Sequence, residues 1–264
     1  AYGRLYFAAY SVAGDEVWVS DGSSAGTRVV TAFPNQAQLG SIFLHPTGGR
    51  VVFLADDVIH GQELWSTDGT ATGTRRETDF GYHQPFEPFG TYLGMVPQSL
   101  AGGLVFAATD GLNGVQLWAR SADGAVTPLV DPCGQNCSPL TGQGGLTVVG
   151  GRSVFVAADV NHGYEAWSTD GTRSGTGLIV DACPGSCGLP YSLPFAAFRS
   201  HGDRATFWAS NQLWLTDGTP AGTVRLFSDN STAEDKGIVV RSGNSYFFRG
   251  FDHLYRREIF VSSG

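Results

Sequence analysis

The chain has 264 residues, a formal charge of −8, 15% charged residues, 12% aromatics and 37 glycines. An acidic balance with singly scattered arginines excludes nucleic acid and anionic membrane surfaces as partners, and no apolar run reaches the roughly eighteen residues that span a bilayer. Many short apolar runs punctuated by glycine point instead to an all-β chain rich in turns.

In chain order, Ala1-Tyr2-Gly3-Arg4 already stands at the threshold of a strand, as a processed or trimmed protein would. Leu5-Tyr6-Phe7-Ala8-Ala9 is an apolar strand, and Glu16-Val17-Trp18-Val19-Ser20-Asp21-Gly22 follows it. That wording recurs. Trp stands at 18, 65, 118, 167 and 214, and Phe260 is the sixth copy, with successive positions 46 to 53 residues apart. The clearest period divides into four predicted strands: Ser41 to His45, Arg50 to Ala55, Gln62 to Ser66 and Thr74 to Thr78. Four antiparallel strands per period of about 40 to 50 residues describe the blade of a β-propeller. The repeats run roughly over 1–33, 41–80, 93–131, 146–181, 195–228 and 237–264 as one domain. The first copy opens on a second strand and the last stops before its fourth. Six blades, with the first and last incomplete, is the simplest count.

The second strands, such as Leu104-Val105-Phe106-Ala107-Ala108 and Val154-Phe155-Val156-Ala157-Ala158, are almost wholly apolar, which predicts cover on both faces. The Trp of each third strand is predicted to fill the space between blades as the largest single core contribution. Between third and fourth strands comes an Asp-Gly-Thr turn, in which a carboxylate accepts backbone N–H groups and Gly takes the left-handed conformation.

Four cysteines lie in two loops, at Cys133 and Cys137 and at Cys183 and Cys187, equivalent positions of successive repeats. Gly- and Pro-rich loops of this length fold back far enough for local bridges Cys133–Cys137 and Cys183–Cys187, which implies an oxidising compartment. A four-cysteine zinc site is the rival, with no His placed to help.

At its Trp-x-x-Asp-Gly-Thr-x-x-Gly-Thr copies the chain resembles the secreted bacterial proteins called ELWxxDGT repeat proteins, over essentially its whole length. Ile179-Val180-Asp181-Ala182-Cys183-Pro184-Gly185 fits the loop that follows the family's fourth strand, whereas Asp131-Pro132-Cys133 loses the Pro-Gly and Ala125-Val126-Thr127 lacks the Gly-Thr. The resemblance implies a secreted, extracellular or periplasmic protein associated with the cell surface, and no catalytic residues.

Recurrence weighs against catalysis by Asp21, Asp68, Asp123, Asp170 and Asp217, since an active site is a unique assembly. They are read as structural turn residues, similar to the Asp-boxes of sialidase propellers. No cofactor is expected; calcium is the alternative, although one Asp per turn falls short of its ligand demand. His60 and His162 are repeat equivalents and read as loop structure, and His45, His83, His201 and His253 have no metal or triad spacing. Asn136-Cys137-Ser138 and Asn230-Ser231-Thr232 match a glycosylation pattern, read as unmodified loops. Arg50, Arg152 and Arg204 precede equivalent strands instead of converging as a glycosidase would need.

What does not repeat is the loop from Phe80 to Leu93, with Tyr82, His83, Phe86, Phe89 and Tyr92. These aromatics either cap a blade core or form a binding surface for sugar rings or a protein. The sequence therefore predicts a non-catalytic binding or assembly module that engages a protein partner or extracellular assembly. A carbohydrate-binding lectin is the alternative, and a glycoside-processing enzyme a more distant one.

Overall fold

The computed structural model describes residues 1–12, 14–32, 44–56, 59–80, 97–109, 115–130, 145–182, 196–209, 212–228, 239–251 and 257–263. The described residues form six antiparallel sheets, each a meander in chain order. Sheet one holds β1 (Leu5–Ser11), β2 (Gly14–Ser20) and β3 (Arg28–Ala32). Sheet two holds β4 (Leu44–Thr47), β5 (Arg50–Asp56), β6 (Gln62–Thr67) and β7 (Arg75–Arg76). Sheet three comprises β8 (Gln98–Leu100), β9 (Gly103–Thr109), β10 (Val115–Arg120) and β11 (Val126–Val130). Sheet four comprises β12 (Thr147–Val149), β13 (Arg152–Asp159), β14 (Gly163–Thr169) and β15 (Gly177–Val180). Sheet five is β16 (Ala196–Ser200), β17 (Ala205–Ala209), β18 (Gln212–Thr216) and β19 (Val224–Ser228). Sheet six is β20 (Val240–Ser242), β21 (Ser245–Phe251) and β22 (Arg257–Ser263). Sheets one and six have three strands each, lacking a first and a fourth strand respectively. In sheet two the fourth strand is only the pair Arg75–Arg76, shorter than the sequence pattern predicts.

The register is the same in every sheet, because each third strand pairs its Trp, or Phe260, with a second-strand phenylalanine. The pairs are Phe7↔Trp18, Phe53↔Trp65, Phe106↔Trp118, Phe155↔Trp167, Phe207↔Trp214 and Phe248↔Phe260. Where the fourth strand meets the third, the register shifts immediately before Trp18, Trp118, Trp167 and Trp214. A bulge there adds local twist. The tight hairpin from β4 to β5 places Gly48 and Gly49 at φ 57° and 76°, values that glycine adopts without steric cost.

Side chains alternate between two faces. One face, called A, carries the paired Phe and Trp; the other, B, carries the residues flanking them. Five apolar clusters join consecutive sheets, always B of one against A of the next. Val17 and Val19 meet Phe53 and Trp65; Leu54 and Leu64 meet Phe106 and Trp118; Leu117 and Ala119 meet Phe155 and Trp167. Val156 and Ala166 meet Phe207 and Trp214, and Leu213 and Leu215 meet Phe248 and Phe260. This is why second strands are apolar throughout: both of their faces are covered.

The deepest aromatics are the phenylalanines, not the tryptophans. Phe53, Phe106, Phe155 and Phe207 are at most 1% exposed, whereas Trp65, Trp118 and Trp214 are half-buried. Burying each phenylalanine contributes about 1.5–3 kcal/mol. No helix among the described residues is long and apolar enough to cross a membrane.

Candidate functional site

The turns after the third strands are where recurrent polar residues gather, so their geometry decides whether they offer chemistry. In sheet two, Asp68 Oδ1 accepts hydrogen bonds from Thr70 N at 2.9 Å and Thr70 Oγ1 at 2.6 Å. Thr70 Oγ1 accepts from Gly73 N at 3.0 Å. Thr74 Oγ1 donates to Thr70 O and reaches Thr67 Oγ1, which itself accepts from Gly69 N. The turn is thereby closed on itself.

The same bonds recur around Asp21 with Ser23, Gly26 and Thr27, around Asp170 with Thr172, Gly175 and Thr176, and around Asp217 with Thr219, Gly222 and Thr223. A methyl group added at Gly26, Gly73, Gly175 or Gly222 would fall on the carboxylate of its own turn's Asp. The Gly of each Gly-Thr pair is thus required by space, while the Gly after the Asp is required by its positive φ, as at Gly69 with 92°. The Thr70 hydroxyl and backbone N–H hold the Asp68 carboxyl below its ordinary value, and Thr172 and Ser23 do the same for Asp170 and Asp21. For Asp217 partial burial pushes upward, but the Thr219 hydroxyl and N–H prevail. These carboxylates are ionised turn residues with internal partners.

Two further repeated side chains brace the same strands, and the sequence pattern alone assigns neither a partner. The Glu two residues before the Trp faces the exit of the fourth strand. Glu63 accepts from Thr78 Oγ1 at 2.5 Å and Phe80 N at 2.8 Å, and Glu165 accepts from Ala182 N at 2.9 Å. Burial pushes the Glu63 carboxyl up, against the pull of those donors. Arg50 Nε donates to Ser66 Oγ at 2.8 Å and its Nη2 to Gly73 O; Arg152 repeats this with Ser168 at 3.2 Å and with Gly175 O. Recurrence at fixed offsets from the Trp was the available signal for both.

Sheet three departs from the pattern. Arg120 stands where the other turns have Ser20, Thr67, Thr169 and Thr216. Its guanidinium is buried and forms a two-point ion pair with Glu77 of sheet two: Nη2 to Oε1 is 2.9 Å, and Nε donates to Oε2. Ser66 Oγ adds a 2.6 Å hydrogen bond to Glu77 Oε1. Burial raises the Glu77 carboxyl, but the Arg120 and Ser66 hydrogen bonds and the Arg120 charge bring it below its ordinary value. In this copy Asp123 accepts from Ser121 Oγ inside a tighter turn closed by Gly124 N to Ser121 O at 3.0 Å.

Of the histidines, His162 lies against Asp159, with Nδ1 at 2.8 Å from Oδ2. Its hydrogen bond to that carboxylate raises its pKa. Asp159 also accepts from the backbone N–H groups of Asn161 and His162, so this is a loop brace. His201 lies 3.0 Å from Thr206 Oγ1 and edge-on to Tyr246, and His45 contacts Ser99. The aromatic loop residues Tyr82, His83, Phe86, Phe89 and Tyr92, and Cys133, Cys137, Cys183 and Cys187, lie outside the described residues. Among the described residues no three His, Cys, Asp or Glu side chains group to hold a metal ion.

Exposed apolar side chains lie at or beside the turns between second and third strands, as Tyr10, Val12, Ile59 and Val160 do, and on the first and last sheets. Leu5 and Val29 on face A of sheet one are exposed. So are Phe247, Ile259 and Val261 on face B of sheet six.

No family model matches the chain, and no curated protein matches it. Among solved structures it is similar to a nidogen/laminin complex at 14% identity, covering 83% of this chain and 73% of that one, with a TM-score of 0.38. It is also similar to puromycin hydrolase at 16% identity and a TM-score of 0.42, covering 88% of this chain and 34% of that one. A third likeness is to the tricorn protease, at 13% identity, 98% and 25% coverage and a TM-score of 0.31. The chain thus spans about a third of the length of the puromycin hydrolase it matches and a quarter of that of the tricorn protease.

Proposed function

We propose that the six sheets are blades of a β-propeller, and that the chain is a non-catalytic binding or assembly module of a secreted or cell-surface bacterial protein of the ELWxxDGT repeat kind, mediating protein interaction. One observation carries this reading. The recurrent carboxylates accept hydrogen bonds from their own turns, so the residues that repeat are used for construction, and the apolar surface left over is what a partner would cover. The closed turns rank the module reading above a glycoside-processing enzyme, whose paired carboxylates must face a substrate.

The test has two arms. Incubation with fluorogenic glycoside and peptide substrates is expected to give no turnover above buffer, and turnover abolished by a point change in the chain would overturn the reading. A glycan array is expected to stay blank; binding that disappears in Tyr82→Ala and Phe86→Ala would replace the protein-interaction reading with the lectin one.

A further inference from the structure

The chain carries 24 acidic residues against 16 Lys and Arg, yet its described first strands hold no carboxylate. The ionisable side chains of β4, β8, β12, β16 and β20 are His45, Arg199 and Arg241. Cross-sheet bonds set first strands and their hairpins side by side. Thr47 Oγ1 donates to Gly102 O at 2.6 Å, Ser200 Oγ to Val148 O at 3.3 Å, and Arg241 Nη1 to His201 O at 2.9 Å.

The two arginines meet at the joint of sheets five and six, and they are held differently. Arg241, on face A of sheet six, is fixed in place. Its Nε donates to Gly243 O at 3.0 Å and its Nη1 also to Asp203 Oδ1 at 2.6 Å, while the guanidinium lies 5.8 Å from the centre of the Tyr246 ring. Among the described residues its Nη2 has no acceptor. Arg199 pairs with Thr206 on face B of sheet five, is exposed, and has no hydrogen-bond or ion-pair partner among the described residues. His201 sits between them, with Nε2 3.0 Å from Thr206 Oγ1. Burial lowers its pKa, and the charges that add to the shift are those of Arg241 and Arg199. Two guanidinium groups against the one carboxylate of Asp203 leave the joint positive.

We infer that this joint takes a carboxylate from an acidic peptide segment of the protein partner, with Arg199 as a two-point fork and Arg241 Nη2 as a further donor. The inference rests on the protein-interaction reading proposed above and names the chemistry of the segment. A free guanidinium matches the geometry of a carboxylate. A guanidinium already fixed in place loses little freedom on binding. A positive cleft in an acidic molecule also draws an acidic segment to itself instead of to the rest of the surface. At the strand position of Arg241, the exposed Ser200, Val148 and Ser99 continue across sheets five, four and three without a charge, which suits an extended chain better than a free ion.

Fluorescence anisotropy of a tetramethylrhodamine-labelled hexaglutamate peptide against the whole chain tests this at low salt, with Arg199→Gln, Arg199→Lys and Arg173→Gln as variants. Arg199 and Arg173 are both exposed, so each variant is expected to keep the wild-type thermal midpoint, checked by circular dichroism. The wild type is expected to bind saturably, and more weakly as salt rises. Arg199→Gln is expected to lower the affinity at least about tenfold, and Arg199→Lys to recover part of it by returning the charge without the fork. Arg173→Gln removes the same charge from the turn after the third strand of sheet four and is expected to bind as the wild type does. Absence of saturable binding, an affinity unchanged in Arg199→Gln, or an equal loss in Arg173→Gln overturns the inference. So does inorganic phosphate that raises the thermal midpoint while hexaglutamate fails to bind, since the joint would then serve a free anion. Each of these leaves the non-catalytic reading standing, while substrate turnover would remove that reading whatever the peptide does.

Discussion

Sheets two and three close the same hairpin, from third strand to fourth, by different means. In sheet two Thr67 sits at the strand end and its hydroxyl binds Gly69 N at 2.9 Å and Thr74 Oγ1 at 2.8 Å, so the bonds are local to the turn. In sheet three Arg120 takes that position and reaches across the joint to Glu77 on the neighbouring sheet. Glu77 itself occupies a place where the other sheets have Val30, Leu129, Ile179 and Leu226. Two departures in adjacent copies thus compensate each other. The comparison separates a turn held by its own residues, which fails locally, from one whose key residue is also a tie between sheets, which fails globally.

The largest expected effect comes from breaking the tie. The Arg120 and Glu77 side chains are 0% and 3% exposed, so Arg120→Ala leaves a buried carboxylate with only the Ser66 hydroxyl and the exposed Arg75 at 3.8 Å and is expected to cost about 3–5 kcal/mol. It is read as a fall in the urea midpoint at unchanged slope. A cost under about 1 kcal/mol would mean that the pair is wetter than its burial indicates. The double variant Arg120→Thr with Glu77→Leu gives this joint the wording of the others. Removing both charges together is expected to return stability to within about 1 kcal/mol of the wild type. A double variant as unstable as Arg120→Ala would show that the guanidinium matters for its volume instead of its charge.

An intermediate effect is expected within the self-closed turns. Gly73→Ala and Gly175→Ala each set a methyl group on an Asp carboxylate and are expected to cost about 1–3 kcal/mol as overpacked sites. Gly177→Ala, with nothing near the added methyl, is the control and should stay within about 0.5 kcal/mol. Equal losses at Gly73 and Gly177 would shift the explanation from space to backbone conformation.

Much of this construction is readable in the sequence, because a repeat states its rules several times over. The recurring Trp set the strand register, the apolar second strands announced two covered faces, and the Asp-Gly-Thr wording announced a closed turn. Other features needed the third dimension. Glu63 and Glu165 recur as plainly as the Trp, but their partners lie seventeen positions on, at Phe80 and Ala182, across the hairpin. Arg120 and Glu77 break the pattern at different places in different copies, so only the sheet-to-sheet joint shows that they meet. The bare end faces were invisible for the opposite reason: Ile259 reads like Leu64 or Leu213, and nothing in its letters distinguishes a residue under a neighbouring sheet from one under solvent. The aromatic loop, the most distinctive non-repeated stretch, lies outside the described residues.

The smallest effect is electrostatic, and it sharpens the contrast because the two kinds of turn respond differently to acid. Hydrogen bonds from Thr70, Thr172 and Thr219 hold Asp68, Asp170 and Asp217 below the ordinary value of 3.8 in the folded chain. A depressed carboxyl contributes stability that is fully present above the unfolded value and disappears as pH falls through the folded one. Replacing all three by Asn keeps an acceptor oxygen but removes the charge. The gap between wild type and triple variant should therefore be constant above about pH 5 and vanish as pH falls below about 3.8. Glu63, raised above 4.5 by burial, works in the other sense: protonating it favours the folded state, so its contribution grows as pH falls toward 4.5. The wild-type curve should thus show a shoulder before its acid limb, and Glu63→Gln should remove the shoulder while leaving the limb in place. Urea titrations at half-unit pH steps separate the two, and a triple variant whose gap stays constant throughout the acid limb would mean that the turns are held by geometry alone, with no help from the ionised Asp.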